Sequence, residues 1–209
     1  MVGNVLITGH AECKFVPALS FQHMKACVYF RDRVIAAEAE YAGLPFGAFF
    51  EEVMIFTSAC IMSSVASLEA LANELFMLEG SSLYQQLERE MAPTLDKHQR
   101  ALDILKATRL DETAATYYDA KSLILLRNAL VHYKPAWDID QTTDLRARLA
   151  CRFAVSPFVD NGADFVAMKC MSAGCVSWAV EVVQSFIGEF YGRTKILPKK
   201  FERLLTIGK

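Results

Sequence analysis

The sequence has no glycine-rich phosphate loop and no Gly-x-Ser-x-Gly elbow, so P-loop nucleotide hydrolysis and α/β-hydrolase chemistry lack their signatures. It also has no charge excess. Its 209 residues carry 22 Lys and Arg against 24 Asp and Glu, a net charge of -2. That balance argues against a wholesale polyanion binder but leaves room for a local basic surface. Short paired cysteine spacings are absent too. Cys13, Cys27, Cys60, Cys151, Cys170 and Cys175 are scattered, and in a chain this apolar they read as buried thiols of a reducing compartment. His10 and Cys13 have a metal-like spacing without a second pair, and neither His23 nor His98 adds a ligand cluster. No metal and no other cofactor is expected. The N-terminus shows no basic region followed by an apolar run and a cleavage site, so the expectation is a cytoplasmic protein. The uncharged stretch 53–68 is short for a membrane span and contains Thr57, Ser58, Ser63, Ser64 and Ser67. It reads as a buried core helix, with no membrane partner.

What is present is apolar and helical. Hydrophobic residues make up 53% of the chain, which implies a large buried area or oligomerisation. No repeat, low-complexity tract or domain boundary interrupts it, so residues 1–209 are expected to form a single all-α domain. Ser20 is a candidate N-cap for a helix to about Ala42, ended by Gly43 and Pro45. A long helix follows from about Phe49 to Glu79. Ser81 or Ser82 starts a short one ending before Pro93. Thr94 begins another to about Leu110, and Asp111 caps a helix running to Tyr133. Beyond Pro135 the pattern weakens. Thr142 to Leu149 suggests a short helix, and the turn residues Asp160, Asn161 and Gly162 allow a small hairpin between 151–158 and 165–168. Helical periodicity returns from Ser172 to Gly192. The tail carries Arg193, Lys195, Lys199, Lys200, Arg203 and Lys209 against Glu202. It could touch RNA backbone, although a solvated helix terminus accounts for it as well.

One cluster carries chemistry. Arg127, Asn128 and His132 lie near the end of the helix that Pro135 closes. At about 100° per residue, Leu123, Leu126, Leu130 and Tyr133 form a core face, and Lys121, Leu125, Asn128 and His132 form a stripe opposite it. Arg127 falls between the two. Apolar Ile124, Leu125 and Val131 around polar groups suggest that this side is covered, for which a second subunit is economical. Two readings stand at this point. His132 near a helix C-terminus can simply favour the macrodipole, with Asn128 a satisfied amide. Alternatively the three residues handle a phosphate. Imidazole moves protons near neutral pH, a guanidinium neutralises charge building on phosphate, and an amide orients either group.

An arginine, a polar residue beside it, and a histidine after a gap of four residues, late in a helix of an all-α chain, resemble the signature of the HEPN (higher eukaryotes and prokaryotes nucleotide-binding) family. The run from Ser67 to Glu74 also looks like the helix that faces the motif helix in many members. The resemblance covers about residues 20–135; 136–209 would be a less regular insert, a C-terminal helix and the basic tail. It implies a bundle of four to five main helices that dimerises with the motif helices facing across the twofold axis. It further implies a metal-independent endoribonuclease acting through the RNA 2′-hydroxyl, of the kind found in toxin–antitoxin and antiviral defence systems. An antitoxin or defence-system protein is then an expected partner. Other members are non-catalytic nucleotide-binding or dimerisation modules, which is the alternative. On this resemblance Arg127, Asn128 and His132 are the catalytic set, and Glu69, Asn73, Lys121 and Tyr133 support it or bind RNA.

Overall fold

The computed structural model describes residues 18–78, 91–133 and 143–195. These form an all-α bundle: α1 (Leu19–Glu40), α2 (Phe50–Leu78), α3 (Thr94–Ile104), α4 (Ala115–Val131), α5 (Thr143–Leu149), a π-helical turn (Phe165–Lys169) and α6 (Ala173–Thr194). The helix anticipated between Ser81 and Pro93, the His10–Cys13 pair and the basic tail beyond Lys195 lie outside the described residues.

Helix α2 is the spine. It is long and apolar enough to cross a membrane by length and composition, but in this bundle its Val53, Cys60, Ile61, Val65 and Leu68 are buried. Cys60 shows where they go. Its thiol reaches the Cys27 carbonyl of α1 at 3.3 Å and the Val176 carbonyl of α6 at 4.0 Å. Helix α6 contributes Val180, Val183, Phe186, Ile187 and Phe190 to the same core, and each such side chain stabilises the fold by about 1.5–3 kcal/mol. Burial pushes the Cys27 thiol up to about 11 and raises those of Cys60 and Cys175, so all three pack as protonated, weakly polar groups. Cys151 departs from the expectation of buried thiols. It is exposed, in a left-handed conformation (φ 63°) just past α5.

Two helix starts are capped from a distance. The α1 helix begins at Leu19, and Ser20 is not its cap. Ser20 is buried, and its N–H and Oγ–H donate to the Glu74 carboxylate of α2 at 2.8 and 2.6 Å. Glu38 of α1 accepts from the Ala173 N–H at the start of α6 at 2.7 Å. Both carboxylates sit where helix dipoles favour negative charge. Ser172 adds a side-chain cap to α6, accepting from the Cys175 N–H.

Other departures have equally local causes. Helix α3 stops at Ile104, short of Leu110, because Lys106 adopts φ 52° and a Schellman pair closes the end (Ala107 N–H to Leu102 O, Lys106 N–H to Asp103 O). Gln99 then pins the returning chain by exchanging two 2.9 Å hydrogen bonds with the Leu110 backbone. Asp111 does not cap α4, which starts at Ala115. Its carboxylate instead accepts from the Thr113 N–H and hydroxyl, ahead of the helix. The anticipated hairpin does not form among the described residues. The Asp160–Ala163 turn is present, but its flanks do not pair. Phe165–Lys169 coils into the π turn with Asp164 accepting from the Ala167 N–H.

Candidate functional site

Helix α4 exposes its motif unevenly. Tyr117, Ala120, Leu123 and Leu126 are buried, whereas Lys121, Val131, His132 and Tyr133 are exposed and Asn128 and Leu130 are half-buried. The helical wheel puts Tyr133 on the core face, but the helix ends at Val131 and His132 is its C-cap. The wheel therefore no longer applies there, and Tyr133 is 41% exposed beside Asp164.

Arg127 points toward the core side and meets α2. Its Nη2 donates to Glu69 Oε1. The pair is part-buried, with side chains 25% and 40% exposed. Arg127 Nε is buried and has no acceptor, so the guanidinium is held by one edge rather than as a full fork.

A third element joins from α3. Thr94 Oγ donates to Glu69 Oε1 at 3.5 Å, a long and weak contact, and Lys97 Nζ donates to Asn73 Oδ1 at 3.3 Å. Glu69, Asn73, Ala92, Thr94 and Lys97 line an open cleft of about 250 Å³. Glu69 thus stands between a guanidinium on one side and the start of α3 on the other. Nothing in the sequence pattern marks Thr94 and Lys97 as site residues. Both lie 24 or more residues from their partners, and only the fold brings them there.

The structure therefore joins Arg127 with Glu69, and Asn73 with Lys97. Asn128, His132 and Lys121 stay on the outer stripe. Neither Asn128 nor His132 makes a side-chain hydrogen bond to a described residue; the His132 N–H is used within the helix, donating to the Asn128 carbonyl at 2.9 Å. His132 lies five positions after Arg127, about 140° around the helix and about 7.5 Å along it. In one chain the guanidinium and imidazole therefore project in different directions. Among the described residues no group of three His, Cys, Asp or Glu is placed to hold a metal ion.

Comparison with models of known protein families, with characterised proteins and with solved structures gives no match to this chain.

Proposed function

We propose that the protein is a metal-independent endoribonuclease whose active site is composite, built from the ends of two α4 helices in a homodimer. The observation that carries this reading is the exposed end of α4. His132 is exposed without an intrachain side-chain partner among the described residues, and it is flanked by Val131 and Tyr133, which are 51% and 41% exposed. Arg127 is anchored nearby on the same helix. Facing two such ends across a twofold axis covers the apolar residues and brings one chain's imidazole toward the other's guanidinium. His132 then acts as general acid and base on the 2′-hydroxyl and the leaving oxygen. Arg127 neutralises the phosphorane-like charge, and Asn128 orients the phosphate. Incubating the purified protein with RNA in EDTA tests this. Cleavage by the wild type and none by His132→Ala is expected; intact RNA, or equal cleavage by the variant, overturns it.

A second reading draws on the Glu69 contact. A guanidinium already engaged by a carboxylate suits a non-catalytic nucleotide-binding or dimerisation module, in which Arg127 mainly ties α4 to α2. Thermal stabilisation by nucleotides without RNA cleavage would support it. A toxin role within the first reading predicts poor growth on expression, relieved by Arg127→Ala.

A further inference from the structure

Tyr118 opens the same outer stripe of α4 that ends at His132. Relative to Tyr118, residues Lys121, Leu125, Asn128 and His132 all fall within an arc of about 80°. The stripe runs for about fourteen residues, or about 21 Å. At its start two arginines converge. The guanidinium carbons of Arg148 on α5 and of Arg152 just beyond it each lie 5.4 Å from the Tyr118 ring centroid.

Both arginines are held in place by the protein and remain accessible. Arg148 Nε donates to Asp144 at 2.9 Å, and Arg152 Nη1 lies 3.2 Å from Asp119. The Arg148 and Arg152 side chains are 27% and 38% exposed. Each guanidinium has five donors, so these contacts leave donors over for a ligand. Asp144 and Asp119 offset the two charges within the chain, and an incoming phosphate competes with these carboxylates for the guanidinium donors. Lys121, exposed one turn further on, continues the positive charge toward His132. At the far end, the Asp164 carboxylate near Tyr133 is engaged by the Ala167 N–H. Arg148, Arg152 and Lys121 thus share the start of the stripe with the Asp144 and Asp119 carboxylates beside the two arginines.

The geometry points to a binding track for single-stranded RNA along this stripe, with backbone phosphates on Arg148 and Arg152 and the strand leading past Lys121 to His132. Guanidinium planes backed by a ring suit it, because they take phosphates as forks and stack on bases. It gives residues 143–152, which the motif does not explain, the task of holding the substrate. The inference rests on the nuclease reading for the strand's destination, but the arginine site stands on its own contacts.

The test is fluorescence anisotropy of a short labelled polyuridine RNA, with the full chain carrying His132→Ala to prevent cleavage. Adding Arg148→Gln and Arg152→Gln is expected to weaken binding about 10- to 100-fold and to lower the salt slope by about 1.4, about 0.7 for each phosphate no longer neutralised on a single strand. Adding Asp144→Asn instead removes a competing, 79% exposed carboxylate and is expected to tighten binding about two- to fivefold at low salt. That gain cannot come from misfolding. Unchanged affinity and slope in the double variant at a native melting temperature, or no gain with Asp144→Asn, overturns the track. If the wild type cleaves RNA while Arg148→Gln/Arg152→Gln keeps its KM, the track fails and the nuclease reading stands. If RNA binds through these arginines but is never cleaved, the track stands and the nuclease reading fails.

Discussion

His98 is fully buried on α3, with Nδ1 2.9 Å from the Thr94 carbonyl and its ring edge-on to Phe186 and Phe190. Nδ1 therefore carries the proton and donates, while Nε2 is left as a buried lone pair without a partner. Desolvation lowers its pKa from 6.5 to about 4, against a small opposing effect of the Thr94 hydrogen bond. The folded state holds this imidazole neutral. Its contribution to stability is thus complete above about pH 6.5 and is lost as pH falls toward 4, by about 3 kcal/mol in all. Denaturant titrations from pH 7 to 4 should show that loss, and His98→Leu should flatten it; an unchanged slope in the variant would place the pH dependence elsewhere. Arg127 and Glu69 make a different prediction at the same scale. Their pair is partly exposed, so Glu69→Gln should cost only about 0–1 kcal/mol. It should also leave RNA cleavage intact or faster, because the guanidinium is freed for phosphate. Arg127→Ala should reduce cleavage by about 100-fold or more with a similarly small stability change. If both variants reduce cleavage equally, Glu69 is a necessary part of the site.

Among the elements, the start of α6, packed on the loop at Ala154, and the end of α3 are the most exacting. A Cβ on Gly174 would lie 2.4 Å from the Ala154 carbonyl oxygen and 2.8 Å from its nitrogen. That clash is with backbone, so neither side can rotate away. Gly174→Ala should destabilise the fold by about 1–3 kcal/mol or more, seen as a lower melting temperature. Lys106 holds a left-handed φ of 52° without being glycine, so Lys106→Gly should stabilise by about 0.5–1 kcal/mol. The same positions show why parts of the fold are legible in the sequence and others are not. Helices α2 and α6 can be read to within about two residues, because their apolar periodicity is long and, in α6, the Ser172 cap is local. The Lys106 stop carries no Gly or Pro to announce it. Ser20 looks like a cap but serves as a donor to Glu74, a residue 54 positions away. The 160–163 turn is legible, yet whether its flanks pair depends on Asp164 capping a π turn instead. For the site, the motif helix and its outer stripe follow from the wheel. The attachment of Arg127 to Glu69, the Thr94–Lys97 edge and the Arg148–Tyr118–Arg152 cluster are set by tertiary packing, between residues far apart in the chain.

At the scale of the whole molecule, a slightly acidic all-α bundle with an apolar spine presents one helix end where imidazole, valine and tyrosine are exposed together, and the central claim is that a second copy completes it. Mixing two inactive variants, Arg127→Ala and His132→Ala, tests this directly. In a composite site, a mixed dimer has one site lacking both groups and one with the arginine of one chain and the histidine of the other intact. Random exchange of subunits should restore about one quarter of wild-type RNA cleavage in EDTA, since about half the dimers are mixed and each has one working site. A composite site is contradicted if both variants exchange subunits as stable dimers and no cleavage returns, or if the unmixed wild-type chain is monomeric and leaves RNA intact.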